Sequence, residues 1–149
     1  MHRVDHWPLG RQVHFTHPRW GLFTTHAADG RPGTDCTWFG RYRLPGNARP
    51  VDLMLAGTAS APLRSQLTAV GRILEALDEV KYDLRRRITR HAARYPGIVA
   101  DQWNGSPVLI TNNDTDTATM EVTFEWGAPP ALRSLAVYWA GGRLVDGRW

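Results

Sequence analysis

The sequence contains one cysteine, Cys36, among its 149 residues. A single thiol cannot form a disulfide within the chain. Low cysteine usage is typical of proteins from a reducing compartment, which predicts a cytoplasmic location. We interpret Cys36 as a small buried side chain on a strand, because free cysteine usually packs like a hydrophobic residue.

Long apolar runs are also missing. Residues 1–8 have no apolar core and so do not resemble a signal peptide. No stretch approaches the roughly 18 apolar residues that cross a bilayer as a helix. Lysine is nearly absent, since Lys81 is the one lysine among 18 basic residues. These features predict a soluble intracellular protein, and a net charge of only +4 predicts a mild preference for acidic partners.

Motifs of the common enzyme classes are missing as well. The chain has no Gly-x-Ser-x-Gly elbow, no glycine-rich phosphate loop and no His-Glu-x-x-His spacing. We therefore predict no cofactor and no catalytic residue, and we favour a function other than catalysis.

The composition is that of a folded chain. Hydrophobic residues make up 42% of it, and seven residues are tryptophan, which argues against disorder. A chain of this length can form one hydrophobic core. We predict one domain over residues 1–149, in which residues 1–12 form a loose lead-in because Pro8 and Gly10 disfavour regular structure.

The longest regular pattern covers residues 60–95. Apolar residues recur there at spacings of three and four, which is the period of one helix face. Ser60 is the predicted N-cap, Pro62 suits the first turn and Pro96 marks the end. An unbroken helix of this length would be about 50 Å long. We therefore expect a bend, or two helices that meet near residues 78–83.

Strand-like alternation occurs on both sides of this helical segment. The predicted strands cover residues 13–17, 20–26, 36–44, 51–55, 108–110, 119–126, 135–139 and 143–145. An order of strands, helix and strands differs from the regular alternation of a doubly wound fold. We predict an α+β fold: a mostly antiparallel sheet of about six to eight strands, with one long bent helix or a helix pair inserted mid-chain and packed on one face. The helical segment should cover the apolar face, where alternation places Trp38, Met120 and Phe124. The opposite face should be exposed to water and carry four charged residues: Arg41, Arg43, Glu121 and Glu125.

A basic cluster lies in the second half of the helical segment. Helical spacing predicts that four arginines lie away from Val80 and Leu84, and they form a candidate nucleic-acid-binding face within residues 85–94: Arg86, Arg87, Arg90 and Arg94. The alternative is an ordinary solvent-exposed helix surface, because arginines interact favourably with the helix dipole near the C-terminal end of a helix.

Histidines are concentrated in the first 26 residues. His14, His17 and His26 are the candidate ligands of a metal-dependent enzyme. His14 and His17 are an odd number of residues apart, so on one strand they point to opposite faces. The alternative is that these histidines occupy the tips and the edge of a sheet.

Three tryptophans lie in segments without clear periodicity: Trp7, Trp103 and Trp149. Aromatic residues outside the core are enriched in protein-binding surfaces. They are therefore candidate protein-binding residues, and the alternative for Trp149 is that the chain end packs back on the domain.

The order of elements resembles a group of bacterial domains of unknown function. The resemblance is carried by the Trp-Phe-Gly-Arg-Tyr step at residues 38–42, the strand at residues 51–55, the long helix, and a final hairpin around Gly141 and Gly142. It covers roughly residues 13–149. Such domains are similar to small immunity-like proteins encoded near bacterial toxin genes. The resemblance implies a protein that acts by binding, and it offers no agreed catalytic residues to carry over to this chain.

The sequence thus predicts a non-catalytic protein-binding module of bacterial immunity or regulatory type, with a protein partner. Two alternatives stay open: a nucleic-acid-binding protein that uses the arginine face, and a metal-dependent enzyme built on the histidines. No membrane partner is expected.

Overall fold

The computed structural model describes residues 11–27, 36–47, 49–95, 105–112, 119–126, 133–140 and 143–145. Four strands precede the helical segment: β1 (Arg11–His17), β2 (Gly21–Ala27), β3 (Cys36–Tyr42) and β4 (Val51–Gly57). The helices are α1 (Arg64–Glu75) and α2 (Leu77–Arg90), followed by a short 3-10 helix (Ala92–Arg94). Four strands complete the chain: β5 (Ser106–Thr111), β6 (Met120–Trp126), β7 (Arg133–Ala140) and β8 (Arg143–Val145).

The eight strands form one sheet whose strand order is the chain order, from β1 to β8. Every neighbouring pair is antiparallel except β4 and β5, which are parallel. Parallel neighbours need a long connection, and α1 and α2 supply it. The predicted α+β fold, with a mostly antiparallel sheet and a helix pair mid-chain, is confirmed. The parallel pair was not predicted, because residue alternation shows that a segment is a strand but not its direction.

Strands β1 and β2 form a hairpin. Residues 18–20 join them, and Gly21 has φ of 83°, a left-handed conformation that glycine adopts without steric cost. The predicted lead-in over residues 1–12 was too long, because Arg11 pairs with Ala27 and Gln12 pairs with His26. Cross-strand pairing with β2 therefore starts the sheet earlier than the local sequence indicates.

Helix α1 begins at Arg64, so the predicted start at Ser60 was wrong. Pro62 forms a bridge to Gly57, and the Leu63 N–H donates to the carbonyl of Ala56 at 2.8 Å. Leu63 itself is extended, with φ of −63° and ψ of 133°. Pairing with the end of β4 holds residues 62–63 in an extended conformation and delays the helix.

The two helices meet at Ala76, so the predicted junction near residues 78–83 was too late. Ala76 has φ of −96° and ψ of 17°, and its N–H still donates to the Arg72 carbonyl at 3.0 Å. Helix α1 lies near β4, whereas α2 lies near β8. The break allows one helical segment to cover two separate parts of the sheet.

Among the described residues, neither helix combines the length and the hydrophobicity that crossing a membrane requires.

The core lies between the helices and one face of the sheet, which we call the inner face. Its fully buried side chains come from alternate strand residues and from one stripe of each helix, among them Phe23, Trp38, Leu53, Leu55, Ile73, Leu84, Ile88, Ile110 and Phe124. Cys36 is buried among them, as predicted. The opposite face, which we call the outer face, carries Arg41, Glu121 and Glu125, also as predicted.

Among the described residues, one polar side chain, that of Gln66, is fully buried within this core. Gln66 of α1 accepts a hydrogen bond through Oε1 from the N–H of Ala56 at 2.7 Å. A buried N–H without a partner would be costly, so this bond fixes the position of α1 against β4. The Gln66 Nε2 atom has no hydrogen-bond partner within the described residues.

Candidate binding surfaces

The outer face carries an apolar patch on neighbouring strands. Leu22 of β2 is 52% exposed and Phe39 of β3 is 48% exposed. Because Phe39 pairs with Thr24, Leu22 lies diagonally across from it on the same face. Met54 and Leu109 extend the patch over β4 and β5 along a pocket of about 680 Å³. We call Leu22, Phe39, Met54 and Leu109 the outer-face patch.

One ion pair lies within the outer-face patch, and a second one lies beside it. Arg41 Nε lies 2.9 Å from Asp52 Oδ1, across the β3–β4 pair. Arg49, in the connection between these strands, pairs with Glu125 of β6. Exposed pairs of this kind contribute about 0.2–1 kcal/mol to stability. The Arg41–Asp52 pair divides the patch, since the register places it between Leu22 on β2 and Leu109 on β5.

A second concave surface lies on the inner side of the sheet, between β1 and α1. It has a volume of about 790 Å³. We call it the β1–α1 groove and define it by its lining residues: Phe15, His17, Arg19, Trp20, Ala61, Pro62, Arg64, Leu67, Thr68, Gly71, Arg72 and Glu75.

The β1–β2 turn closes one end of the groove. Both the Arg19 and Trp20 N–H groups donate to His17 Nδ1 at 3.1 Å, so a neutral His17 ring carries its proton on Nε2. The Arg19 guanidinium lies 4.4 Å from the centre of the Trp20 ring, and Nη1 donates to Glu75 Oε1 at 2.7 Å. These contacts hold the turn against the end of α1.

The predicted arginine face is only partly formed. Arg86 and Arg90 are exposed on α2, and Arg94 is exposed in the 3-10 helix that follows. Arg87 is half-buried instead, and its Nη2 donates to the Leu144 carbonyl at 3.2 Å. The expectation that Arg87 lies away from the core was wrong, because β8 lies beside α2. Its role is to connect the helix to the sheet edge.

The three candidate metal ligands do not converge. His14 and His26 are exposed on the outer face, on neighbouring strands, whereas His17 lies on the inner face within the β1–β2 turn contacts. Within the ranges that the structure describes, no three His, Cys, Asp or Glu side chains are grouped so that they could hold a metal ion. The candidate protein-binding residues Trp7, Trp103 and Trp149 lie outside the described residues.

Neither concave surface was predicted from the sequence. Part of the outer-face patch could be recognised in the sequence, because the alternation of residues 36–44 places Phe39 on the same face as Arg41. Its apolar neighbours come from strands that are distant in sequence. No local pattern in the sequence indicated the groove, because its two walls are about 50 residues apart in the chain and come together only in the folded structure.

The architecture defines the class of this protein: an α+β fold in which two helices cover one face of an eight-stranded sheet. Comparison with known protein families, with characterised proteins and with solved structures finds no match to this chain. Functional assignment therefore rests on the chemistry of its surfaces.

Proposed function

We propose that this chain is a non-catalytic protein-binding module of bacterial immunity or regulatory type that acts in the cytoplasm. The partner docks on the outer face of the sheet. The observation that carries the proposal is the exposure of Leu22 and Phe39 side by side, above a pocket that runs across β2 to β6.

The outer-face patch has the composition of a binding site rather than of a solvated sheet. Large apolar side chains on the wet face of a sheet remain in contact with water, and burying them against a partner is favourable. Exposed aromatic side chains at the centre of a patch are frequent hot spots for binding. Two ion pairs are already formed here: Arg41 with Asp52 within the patch, and Arg49 with Glu125 beside it. A partner that covers the patch would therefore bury the Arg41–Asp52 pair without leaving either charge unpaired.

Replacing Phe39 by glutamate is expected to weaken capture of the partner strongly. The test uses wild-type protein as bait in a lysate of the native host, followed by quantitative mass spectrometry and a binding measurement with the purified partner. Because a hot-spot residue contributes about 2 kcal/mol, affinity should fall roughly 30-fold for Phe39→Glu, and similarly for Leu22→Glu.

Tyr82→Glu is the matched control, since Tyr82 is 61% exposed but lies on α2. The proposal predicts that Tyr82→Glu captures the partner as wild type does. A lysate that yields no specific protein, or a partner retained equally by all three variants, would refute the proposal.

Nucleic-acid binding is the second candidate, and one observation favours it. Tyr82, Arg86 and Arg90 form one exposed stripe of α2 at spacings of four, and the Arg86 guanidinium lies 5.9 Å from the centre of the Tyr82 ring. An exposed aromatic ring beside arginines suits single-stranded nucleic acid, in which bases stack on the ring while the cations contact phosphates.

If this stripe binds nucleic acid, the affinity should fall steeply with salt. The double variant Arg86→Ala/Arg90→Ala should flatten the plot of log affinity against log salt concentration by about 1.4, since each phosphate contact on a single strand contributes about 0.7. Fluorescence anisotropy with a labelled single-stranded oligonucleotide measures this slope. Arg43→Ala is the control, because Arg43 is exposed beyond the end of β3. An unchanged slope in the double variant would eliminate the stripe as the site.

A further inference from the structure

Strand β1 is a long and regular edge of the sheet. It has seven residues, and its pairing with β2 is continuous from Arg11 to His17. In the part of the chain that the structure describes, no strand pairs with the other side of β1. The opposite edge, β8, has only three residues. Alternate residues of an edge strand direct N–H and C=O groups away from the sheet, where another strand can bond to them.

Helix α1 begins beside β4 and approaches the β1 edge at its C-terminal end. Pro62, just before α1, bridges Gly57 at the end of the sheet where β1 begins. Glu75, the last residue of α1, pairs with Arg19 in the turn where β1 ends. Helix and strand therefore run in the same direction, and the β1–α1 groove lies between them. A strand added to β1 would place its inward-facing side chains in this groove.

The groove is apolar along its middle. Phe15 comes from β1, Leu67 and Gly71 come from α1, and Trp20 lies at the turn end. Its volume of about 790 Å³ is large enough for several side chains. Apolar side chains of an added strand would thus be removed from water there.

Gly71 keeps one wall of the groove open. A Cβ at this position would lie 3.5 Å from Trp20 Cζ2 and 3.8 Å from Arg19 Nη1, which are ordinary contacts. Packing therefore does not require glycine at position 71, although glycine destabilises a helix interior relative to alanine. The missing side chain leaves space between α1 and β1.

The rim of the groove is positively charged. Arg64 and Arg72 are exposed on α1, and neither forms an ion pair with a carboxylate of the described residues. Eight residues of helix separate them by about 12 Å. Four residues of an extended chain cover about 13 Å. Two acidic residues at positions i and i+4 of an added strand, which point to the same face, match this separation.

We propose that the β1–α1 groove binds an extended peptide segment of a partner protein, which adds to β1 as a further strand. The segment carries an apolar residue with an acidic residue two positions before it and another two positions after it. The apolar side chain enters the groove beside Phe15 and Gly71, and the two carboxylates pair with Arg64 and Arg72. This site is separate from the outer-face patch, because the two lie on opposite faces of the sheet.

The test uses synthetic peptides and the full chain. The probe is an acetylated and amidated peptide of roughly nine residues, the length of a long strand, with glutamate at positions i and i+4, leucine at i+2 and threonine elsewhere. A second peptide has lysine in place of both glutamates. A third has the acidic sequence with alternate backbone nitrogens methylated, which removes the N–H groups that strand pairing needs. Isothermal titration calorimetry compares their affinities.

We expect the acidic peptide to bind, and both other peptides to bind at least roughly tenfold more weakly, because one lacks the charge complementarity and the other lacks the backbone hydrogen bonds. Gly71→Leu should weaken binding of the acidic peptide by a similar factor while the protein stays folded, since leucine fills the groove and favours a helix. The double variant Arg64→Ala/Arg72→Ala should lose the preference for the acidic over the basic peptide.

Two control variants separate this site from the others. Arg90→Ala on α2 and Leu22→Glu on the outer face should bind the acidic peptide as wild type does. Equal affinity for the acidic and basic peptides, or binding that is unaffected by Gly71→Leu, would overturn the proposal. Full binding of the methylated peptide would also overturn it, because the groove would then accept an anion without strand pairing. Sedimentation of the wild-type chain tests a different occupant. If the wild type were a dimer and Gly71→Leu were a monomer, a second copy of the chain would occupy the β1 edge in place of the proposed peptide.

Discussion

Replacing Trp38 by alanine is expected to lower the free energy of unfolding by about 3–5 kcal/mol, the usual cost of removing a fully buried large aromatic side chain. Trp38 is completely buried on the inner face of β3 and packs edge-on against Phe15 at 6.3 Å between ring centres. Its Nε1–H donates to the Thr58 carbonyl at 2.9 Å, beyond the end of β4. The substitution removes both the packing and this hydrogen bond.

Urea denaturation followed by circular dichroism measures the effect. Phe39→Ala is the matched control, because Phe39 is the next residue of the same strand but faces outward and is half-exposed. Its loss should be about 1 kcal/mol or less, since little buried surface is removed. Equal losses at the two positions would contradict the assignment of inner and outer faces.

Gly57→Ala is expected to lower the free energy of unfolding by about 3 kcal/mol, the upper part of the range for overpacked sites. A Cβ at position 57 would collide with the backbone carbonyl of Ala61, would lie 2.7 Å from Pro62 Cα and would lie 2.8 Å from Trp38 Cδ1. Two of these neighbours are backbone atoms, which cannot rotate away. The Gly57–Pro62 bridge that leads into α1 would therefore have to open.

Gly71→Ala is the matched control for the same chemical change. The added methyl group meets only ordinary contacts there, and alanine favours the helix interior, so stability should rise by about 0.5–1 kcal/mol. Chemical denaturation of the two variants under identical conditions compares them. If Gly57→Ala and Gly71→Ala lowered the free energy of unfolding by similar amounts, the close backbone approach at Gly57 would not constrain the connection between β4 and α1.

Local patterns predicted the strands and their faces well. The alternation through residues 36–44 and 119–126 placed Trp38, Met120 and Phe124 on the buried side, and these three are fully buried. Arg41 and Glu125 were placed on the opposite side, where they lie. Such predictions succeed because the period of a strand and the burial of apolar residues are properties of a few neighbouring residues.

The helical segment shows where local patterns were insufficient. Pro62 is well suited to the first turn of a helix, yet its bridge to Gly57 keeps it extended. Ala76 has no intrinsic tendency to end a helix, yet the break lies there because α1 and α2 cover different strands. Arg87 had the spacing of a surface residue but reaches the Leu144 carbonyl. In each case a contact with a distant strand outweighed the local preference.

The class of fold, the two faces of the strands and the amphipathic character of the helical segment were predictable, because they follow from residue spacing and from the removal of apolar surface from water. The parallel β4–β5 pair, the helix junction at Ala76 and both concave surfaces were not, because they arise from the packing of distant segments. The β1–α1 groove exists because strand order places β1 at the edge, beside α1. Which strand lies next to which helix depends on pairing between segments that are distant in sequence, and the spacing of apolar residues within one segment does not specify that pairing.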